Sequence, residues 1–291
     1  MQFASLPVVK GVRNRFFTVL SQLAVVSILS MLSMTVAAQV AFEPDAKELK
    51  FWNDHEPDSG MQVNHEPWQE LLNKYVNDAH PSGINRFDYS AVSNVDRQAL
   101  KDYLEYLQLL EPRQLNLEEA KAYWLNLYNA ILVDNIVDVV QSTPIKSVRE
   151  IKSGAFRAWP WTRDAVEILF KRLSLNEIEH NIIRPIYQDP RVHYVLAKGS
   201  LGGGGLLKTA FNGENNEVLL KQAEKKFLNH SRAISISANG SVQLSAIFEW
   251  YASDFAASNA ELMAYFAEHV TYDIPQTKKI KYQYDWTLNR P

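Results

Sequence analysis

The chain has 291 residues, 46% of them hydrophobic and 22% charged, with a formal net charge of −3 and no cysteine. The missing thiols exclude disulfides, thiol-based catalysis and the lipid-modified cysteine that tethers a bacterial lipoprotein. A mildly acidic balance also argues against nucleic acid as a partner.

Lys10, Arg13 and Arg15 precede an apolar run from Phe16 through Leu20, Val25 and Ile28 to Leu32, with no acid among them. That order is the order of a secretory signal peptide. Val36, Ala37 and Ala38 offer the small side chains that a signal peptidase needs, which places cleavage before Gln39 and makes residues 1–38 the signal peptide. The alternative is an uncleaved anchor, because the run is about long enough to span a bilayer; Ser21, Gln22, Ser27, Ser30 and Ser33 dilute it. Cleavage gives a periplasmic or secreted protein of a bacterial envelope with no stable membrane anchor. The remainder carries 27 Lys and Arg against 33 Asp and Glu, a formal charge of −6. At about 250 residues it is long enough to bury a sizeable core without disulfides.

Residues 39–65 are polar and irregular, with Pro44, Pro57 and the turn signal Asp58-Ser59-Gly60, and read as a leader in which no core begins. The globular domain is expected over residues 66–291. Trp68, Leu71, Leu72, Tyr75 and Val76 recur at helical spacing, as do Leu100, Tyr103, Leu104, Leu107 and Leu110 before Pro112. Asn116, with Glu119 at the third position, predicts a capped helix from Leu117 to Val140. Its apolar residues cover most of its circumference, which marks it as the central helix.

Val166, Ile168 and Phe170 alternate as in a short strand. Ser174 and Glu177 form a capping box, with Leu173 and Ile178 placed as a hydrophobic staple, so a helix should run from Leu175 to about Ile183 and stop before Pro185. Val192 to Ala197 reads as a buried strand, and the five glycines of Gly199–Gly205 require a loop. A helix follows around Val218 to Phe227, then a hairpin turning at Asn239-Gly240. Helical patterns at Ala246–Phe255 and Ala260–Val270 precede a last strand with Ile280, Tyr282 and Tyr284. The expected fold is α+β, a helix-rich single domain around a central apolar helix with a small antiparallel or mixed sheet.

The glycine loop lacks the lysine spacing of a nucleotide-binding loop and fails the dinucleotide fingerprint. It is either a turn or an anion nest of backbone N–H groups. Ser200 has Lys198, not glycine, two positions before it, so it departs from a nucleophile elbow. His193 is placed to act as general base toward Ser200 or a water, or to be a hydrogen-bonded structural residue. Glu177 and His180 have a metal-ligand spacing without the second copy that a dinuclear site uses, and Glu177 is already needed by the cap, so no metal is assigned. Glu179 and His180 are instead a polar pair beside a site. Asn126 and Asn129 lie three apart on the central helix, where buried amides either satisfy a neighbouring loop or line a pocket. Asp254 poses the same choice.

Six stretches taken together resemble a family catalogued as domain of unknown function 547. They are YWLNLYNA (Tyr123 to Ala130), PIKSVREI (Pro144 to Ile151), LSLNEIEHNIIRP (Leu173 to Pro185), DPRVHYVLAKGSLG (Asp189 to Gly202), SAIFEWYASDF (Ser245 to Phe255) and YDWTLN (Tyr284 to Asn289). The resemblance runs from about Glu66 to the C-terminus. The family carries cysteines in and after the segment that here reads HYVLAKGSLGGGGL, and Lys198 and Gly203 stand at those places. It implies an architecture and candidate positions, and no reaction.

Three functions remain in competition. The first is binding of a small polar or peptide-like ligand, by Asn126, Asn129, Glu179, His180, Gly202 and Asp254 around His193, with no cofactor. The second is a hydrolase of envelope material with His193 and Ser200 as catalytic residues and glycine-loop N–H groups as an oxyanion site. The third is a protein-interaction module, which requires Trp68, Trp250 or Tyr251 to lie in an exposed patch.

Overall fold

The computed structural model describes residues 46–151, 161–275 and 280–291. Residues 1–38, where the sequence predicts a signal peptide, lie outside them. Residues Pro44–Pro291 form one compact unit. Among the described residues no helix is long and apolar enough to cross a membrane.

The chain opens with helix α1 (Ala46–Trp52), which corrects the reading of 39–65 as a coreless leader. Trp52 is buried and meets Trp124 edge to face at 5.2 Å, and Val63 is buried too. Helix α2 (Glu66–Tyr75) begins with proline in its first turn, and a short antiparallel pair, β1 (Val76–Asn77) and β2 (Arg86–Phe87), follows it. Helix α3 (Asn94–Gln108) is capped by Ser93, which accepts from the Asp96 N–H.

Helix α4 (Leu117–Val140) starts where expected, with Asn116 accepting from the Glu119 N–H. Neighbours surround nearly its whole length: Tyr123, Leu125, Leu127, Tyr128, Leu132 and Ile136 are fully buried, and α3 and the later helices pack around it. Each such aliphatic side chain contributes about 1.5–3 kcal/mol by leaving water. The core is built on this helix.

Strands β3 (Asp164–Ile168) and β4 (Lys171–Ser174) form a hairpin, so the alternating pattern ends at Ile168 and not at Phe170. Leu169 and Phe170 turn the chain with positive φ (50° and 63°), and Phe170 is almost wholly exposed. The capping box forms as expected at α5 (Leu175–Glu177). Pro185 does not stop the helix. Ile178–Ile183 widens into a π-helix, with the Arg184 N–H reaching the Glu179 carbonyl, and α6 (Arg184–Tyr187) continues with Pro185 in its first turn. A wide turn relieves the clash of the proline ring with the preceding turn's carbonyl. The chain leaves at Gln188 in the left-handed conformation.

Val192–Ala197 is not a strand. Val192–Val195 is the one-turn helix α7, and only Ala197 makes a β-bridge, to Gly204. A short run with Val at both ends fits either state, and here tertiary packing decides. After the glycine loop comes α8 (Asn216–Leu228). Strands β5 (Ile234–Ile236) and β6 (Val242–Ser245) form the hairpin about Gly240, whose φ is 76°. The helical pattern at Ala246–Phe255 is two short helices, α9 (Ile247–Trp250) and α10 (Ala252–Phe255), broken at Tyr251. Helix α11 (Asn259–His269) and strand β7 (Ile280–Gln283), parallel to β6, complete a helix-rich α+β fold with a small mixed sheet.

Candidate functional site

Four elements bring charged side chains together against the middle of α4. Tyr128 comes from α4, Glu179 and His180 from the π-helix, and Arg184 from α6. His193 is on α7, with Lys198 three residues beyond its end. Tyr251 occupies the break between α9 and α10, and Asp254 lies on α10. The turn after Lys198 depends on Gly199, whose φ is 65° and whose Cβ would meet Ile136 at 2.5 Å.

The side chains form two linked clusters. In the inner one, Lys198 Nζ donates to Glu179 Oε2 and to the Tyr128 hydroxyl (2.9 Å), which itself donates to Glu179 Oε2 at 3.1 Å. In the outer one, Arg184 grips Asp254 with two bonds of 2.6 and 2.8 Å, and His193 Nε2 donates to Asp254 Oδ2 at 2.7 Å. Arg184 Nη1 also donates to His180 Nδ1 at 2.9 Å. Tyr251 sits between the clusters: its ring stacks on His193 at 4.0 Å, with Arg184 4.9 Å and Lys198 5.9 Å from its centre. Glu179 and His193 are interior, whereas Tyr251, Arg184, His180 and Asp254 are half-buried and form the outer layer.

Burial alone would raise the Glu179 carboxyl. The Lys198 ammonium overturns that, with help from His180, His193 and the hydrogen bond from Lys198, and lowers it to about 2. Asp254 follows the same logic: burial opposes ionisation, but the hydrogen bonds from His193 and Arg184 hold it well below the usual carboxylate range. His180 is lowered to about 4, first by burial and then by Lys198 and Arg184, against the opposing charge of Glu179. Burial also lowers His193, against the pull of Asp254 and Glu179. Both imidazoles are therefore neutral at neutral pH. With Nε2–H given to Asp254, His193 Nδ1 is an acceptor. It is buried and has no hydrogen-bond partner, and neither has Glu179 Oε1.

Of the residues singled out in the sequence, Glu179, His180, His193 and Asp254 converge here. Asn126 and Asn129 serve backbone instead. Asn126 bonds both the N–H and the carbonyl of Phe211, and Asn129 bonds the Val195 carbonyl and the Ala197 N–H, in each case at 2.8–3.1 Å. Ser200 is wholly buried and bonds the Tyr284 hydroxyl (2.8 Å), not His193, so it is not the partner of that base. The N–H groups of Leu201 and Gly202 are taken by the carbonyls of Thr287 and Asp285, which removes them as oxyanion donors. The Glu177 carboxylate is held by the Ser174 N–H and hydroxyl. Among the described residues no group of three or more His, Asp and Glu is arranged to hold a metal. Trp68 is fully buried, so it forms no exposed patch, whereas Trp250, packed on Tyr284 and Trp286, is 37% exposed.

Arg184 and the roles of Tyr251 and Tyr128 at this site escaped the sequence reading. A signal existed for Arg184, which stands four residues after His180 and so shares its helix face. Lys198 fills the space beside Glu179, and a Cβ at Gly203 would lie 2.6 Å from the Tyr284 hydroxyl and 2.9 Å from Lys198 Cβ.

The glycine loop is packed rather than loose, and not uniformly so. A Cβ at Gly204 would fall within 2.7–2.9 Å of the backbone of His193, Tyr194 and Leu196, whereas one at Gly205 meets nothing within 4 Å. Gly204→Ala is expected to destabilise by at least about 1–3 kcal/mol, and Gly205→Ala to stay within about 0.5 kcal/mol of wild type. Urea denaturation of the pair checks this, and equal midpoints would contradict the packing.

Residues 112–228 match the model of a family described as a protein of unknown function, DUF547. The resemblance read from the motifs is thus shown for the middle of the chain, a narrower span than Glu66 to the C-terminus. The matched segment contains Tyr128, Glu179, Arg184, His193 and Lys198, while Tyr251 and Asp254 come from outside it. No curated protein and no solved structure matches the chain.

Proposed function

We propose that the chain is an exported binding protein that takes a small polar or peptide-like ligand at the Glu179–His193 site. The observation that carries this reading is the buried acceptor His193 Nδ1, which has no donor, beside Glu179 Oε1, which also lacks a close one although the Tyr251 hydroxyl interacts with that carboxylate. A buried polar atom left unpaired costs about 1–3 kcal/mol. The two residues are close enough for each charge to bear on the other's titration. A ligand presenting N–H donors, such as an amine or a peptide amide, would satisfy both. Tyr251, half-buried at a break between helices, covers the His193 ring.

Thermal shift at neutral pH with amino acids, short peptides and cell-wall fragments tests the proposal. At least one should raise the melting temperature of the wild type, and Glu179→Gln should abolish that rise. An intact fold that none of them stabilises would overturn it. Export is tested by N-terminal sequencing of the protein from fractionated cells, with Gln39 expected as first residue in the periplasm or medium. An intact Met1 on protein confined to the cytoplasm would remove that part.

The Asp254–His193 bond supports a second reading, hydrolysis with Nδ1 as general base toward water. A carboxylate fixes the imidazole tautomer, as base catalysis requires. Hydrolysis of any wall fragment in that screen, lost in His193→Ala, would favour it over binding alone.

A further inference from the structure

Next to His193 on α7, Tyr194 lines a cavity beside a second group of cations that the first site does not use. Arg86 from β2, Arg232 after α8 and Lys226 on α8 gather near a cavity of about 20 Å³ lined by Asn85, Tyr194, Gly205, Lys226 and Arg232, among others. Among the described residues none of the three forms a salt bridge with a carboxylate. Arg86 donates to the side chains of Asn289 (3.4 Å) and Ser82 (3.1 Å). Arg232 Nη1 donates to the carbonyls of Leu201 and Gly203, both at 3.0 Å, and its guanidinium lies over Phe227. Lys226 donates to the Asn85 side chain and the Asp78 carbonyl. The carboxylates in range are engaged elsewhere: Asp78 with Lys208, and Asp285 with the Thr287 N–H.

Two donors in this group are buried and unsatisfied, the Nε–H groups of Arg86 and Arg232. Arg86 is more than nine-tenths buried. Burial lowers Arg232 to about 10, with Tyr284 opposing and the Arg86 charge adding to the fall. Lys226 is lowered by burial and by Arg232, against Asp78. Cations thus repel one another in a partly dry place, with donors left over and no salt-bridged carboxylate, the charges of Asp285 and Asp78 bearing on Arg86 and Lys226 without a direct ion pair. Neutral carbonyls satisfy hydrogen bonds but do not cancel charge.

We infer that this cavity binds a small oxyanion, a carboxylate or phosphate group, held by Arg232 and Lys226 and neutralised by the nearby Arg86. A cavity of this size has room for about one water, which is the room needed by one oxygen of such a group while the rest stays in the mouth beside exposed Lys226. Planar guanidinium donors suit these anions better than a halide. The glycine loop contributes by fixing Arg232 through two carbonyls, and Gly205 leaves the cavity wall open. The site is independent of the Glu179–His193 reading.

Calorimetric titration with inorganic phosphate, acetate and chloride at constant ionic strength tests this, with thermal shift as a second readout. Phosphate or acetate should bind and raise the melting temperature where chloride does not, and the tighter of the two identifies the group. Lys226→Gln should weaken that binding at least about fivefold, the effect of losing one charge-assisted bond, and Arg232→Gln should abolish it. Lys101→Gln, a charge change on α3, should leave it as in wild type. If Arg232→Gln fails to fold by circular dichroism, Lys226→Gln decides alone. Binding of neither oxyanion, equal binding of chloride, or an unchanged affinity in Lys226→Gln would overturn the inference.

Discussion

Lys198→Met is expected to destabilise the protein by about 3–5 kcal/mol at neutral pH, the usual loss when one partner of a buried ion pair is removed. The reason is the charge left behind. Glu179 is 1% exposed, and without the ammonium the largest opposition to the effect of burial on its carboxyl is gone. The sign of the pH dependence follows. In the wild type the Glu179 pKa is depressed from 4.5 to about 2, so its contribution is present above 4.5 and is lost as pH falls toward 2. In the variant the pKa should lie above 4.5, so its contribution is present at low pH and is lost as pH rises. The gap between the two proteins should be widest near pH 7 and narrow as pH falls toward 4. Replacing Glu179 by Gln in the Lys198→Met background should recover more than half of the loss. Urea denaturation across that pH range measures all three proteins, and a gap independent of pH would remove the ion pair as its cause.

Trp52→Ala should cost about 3–5 kcal/mol, the range for large aromatic residues deleted from a core. Trp52 is 4% exposed, packs edge to face on both Phe51 and Trp124, and covers the outer side of α4. The same experiment fixes where the folded unit begins. If 39–65 were only a leader, removing this ring would leave the denaturation midpoint unchanged. A fall in midpoint with an unchanged slope is expected instead.

The helices that organise the fold were legible because their signals are local. Asn116 with Glu119 and Ser174 with Glu177 are caps three residues apart, and the breadth of the apolar surface on Leu117–Val140 says that the helix is central before any neighbour is known. Helix α1 was missed because seven residues carry too little periodicity to stand out among prolines. Val192–Val195 was misread because one turn of helix and a buried strand share a composition. Pro185 was misread because the sequence does not show that a π turn can accommodate it.

The site was half legible for a related reason. His193 and Asp254 are residue types that attract attention wherever they stand, but their pairing spans 61 positions. The Arg184–Asp254 and Lys198–Tyr128 bonds each span 70. No local pattern encodes such partners. The asparagines left two readings open, since a buried amide that holds a loop has the same sequence signature as one that holds a ligand.

The glycine loop has a further consequence, for the order of folding. Its partners are the residues from Tyr284 to Asn289: Ser200 reaches 84 positions ahead to Tyr284, and Asn289 bonds back to the backbone of both Gly199 and Asn85, the latter 204 positions away. During synthesis, then, α4 and the capped helix can collapse long before this loop has anything to close against. Closure of such long loops is entropically slow. The two charged sites that flank the loop are accordingly set last, when the final strand's extension is threaded between Lys146 and Gly199. A nascent chain stalled short of Tyr284 would hold a formed core and an open loop.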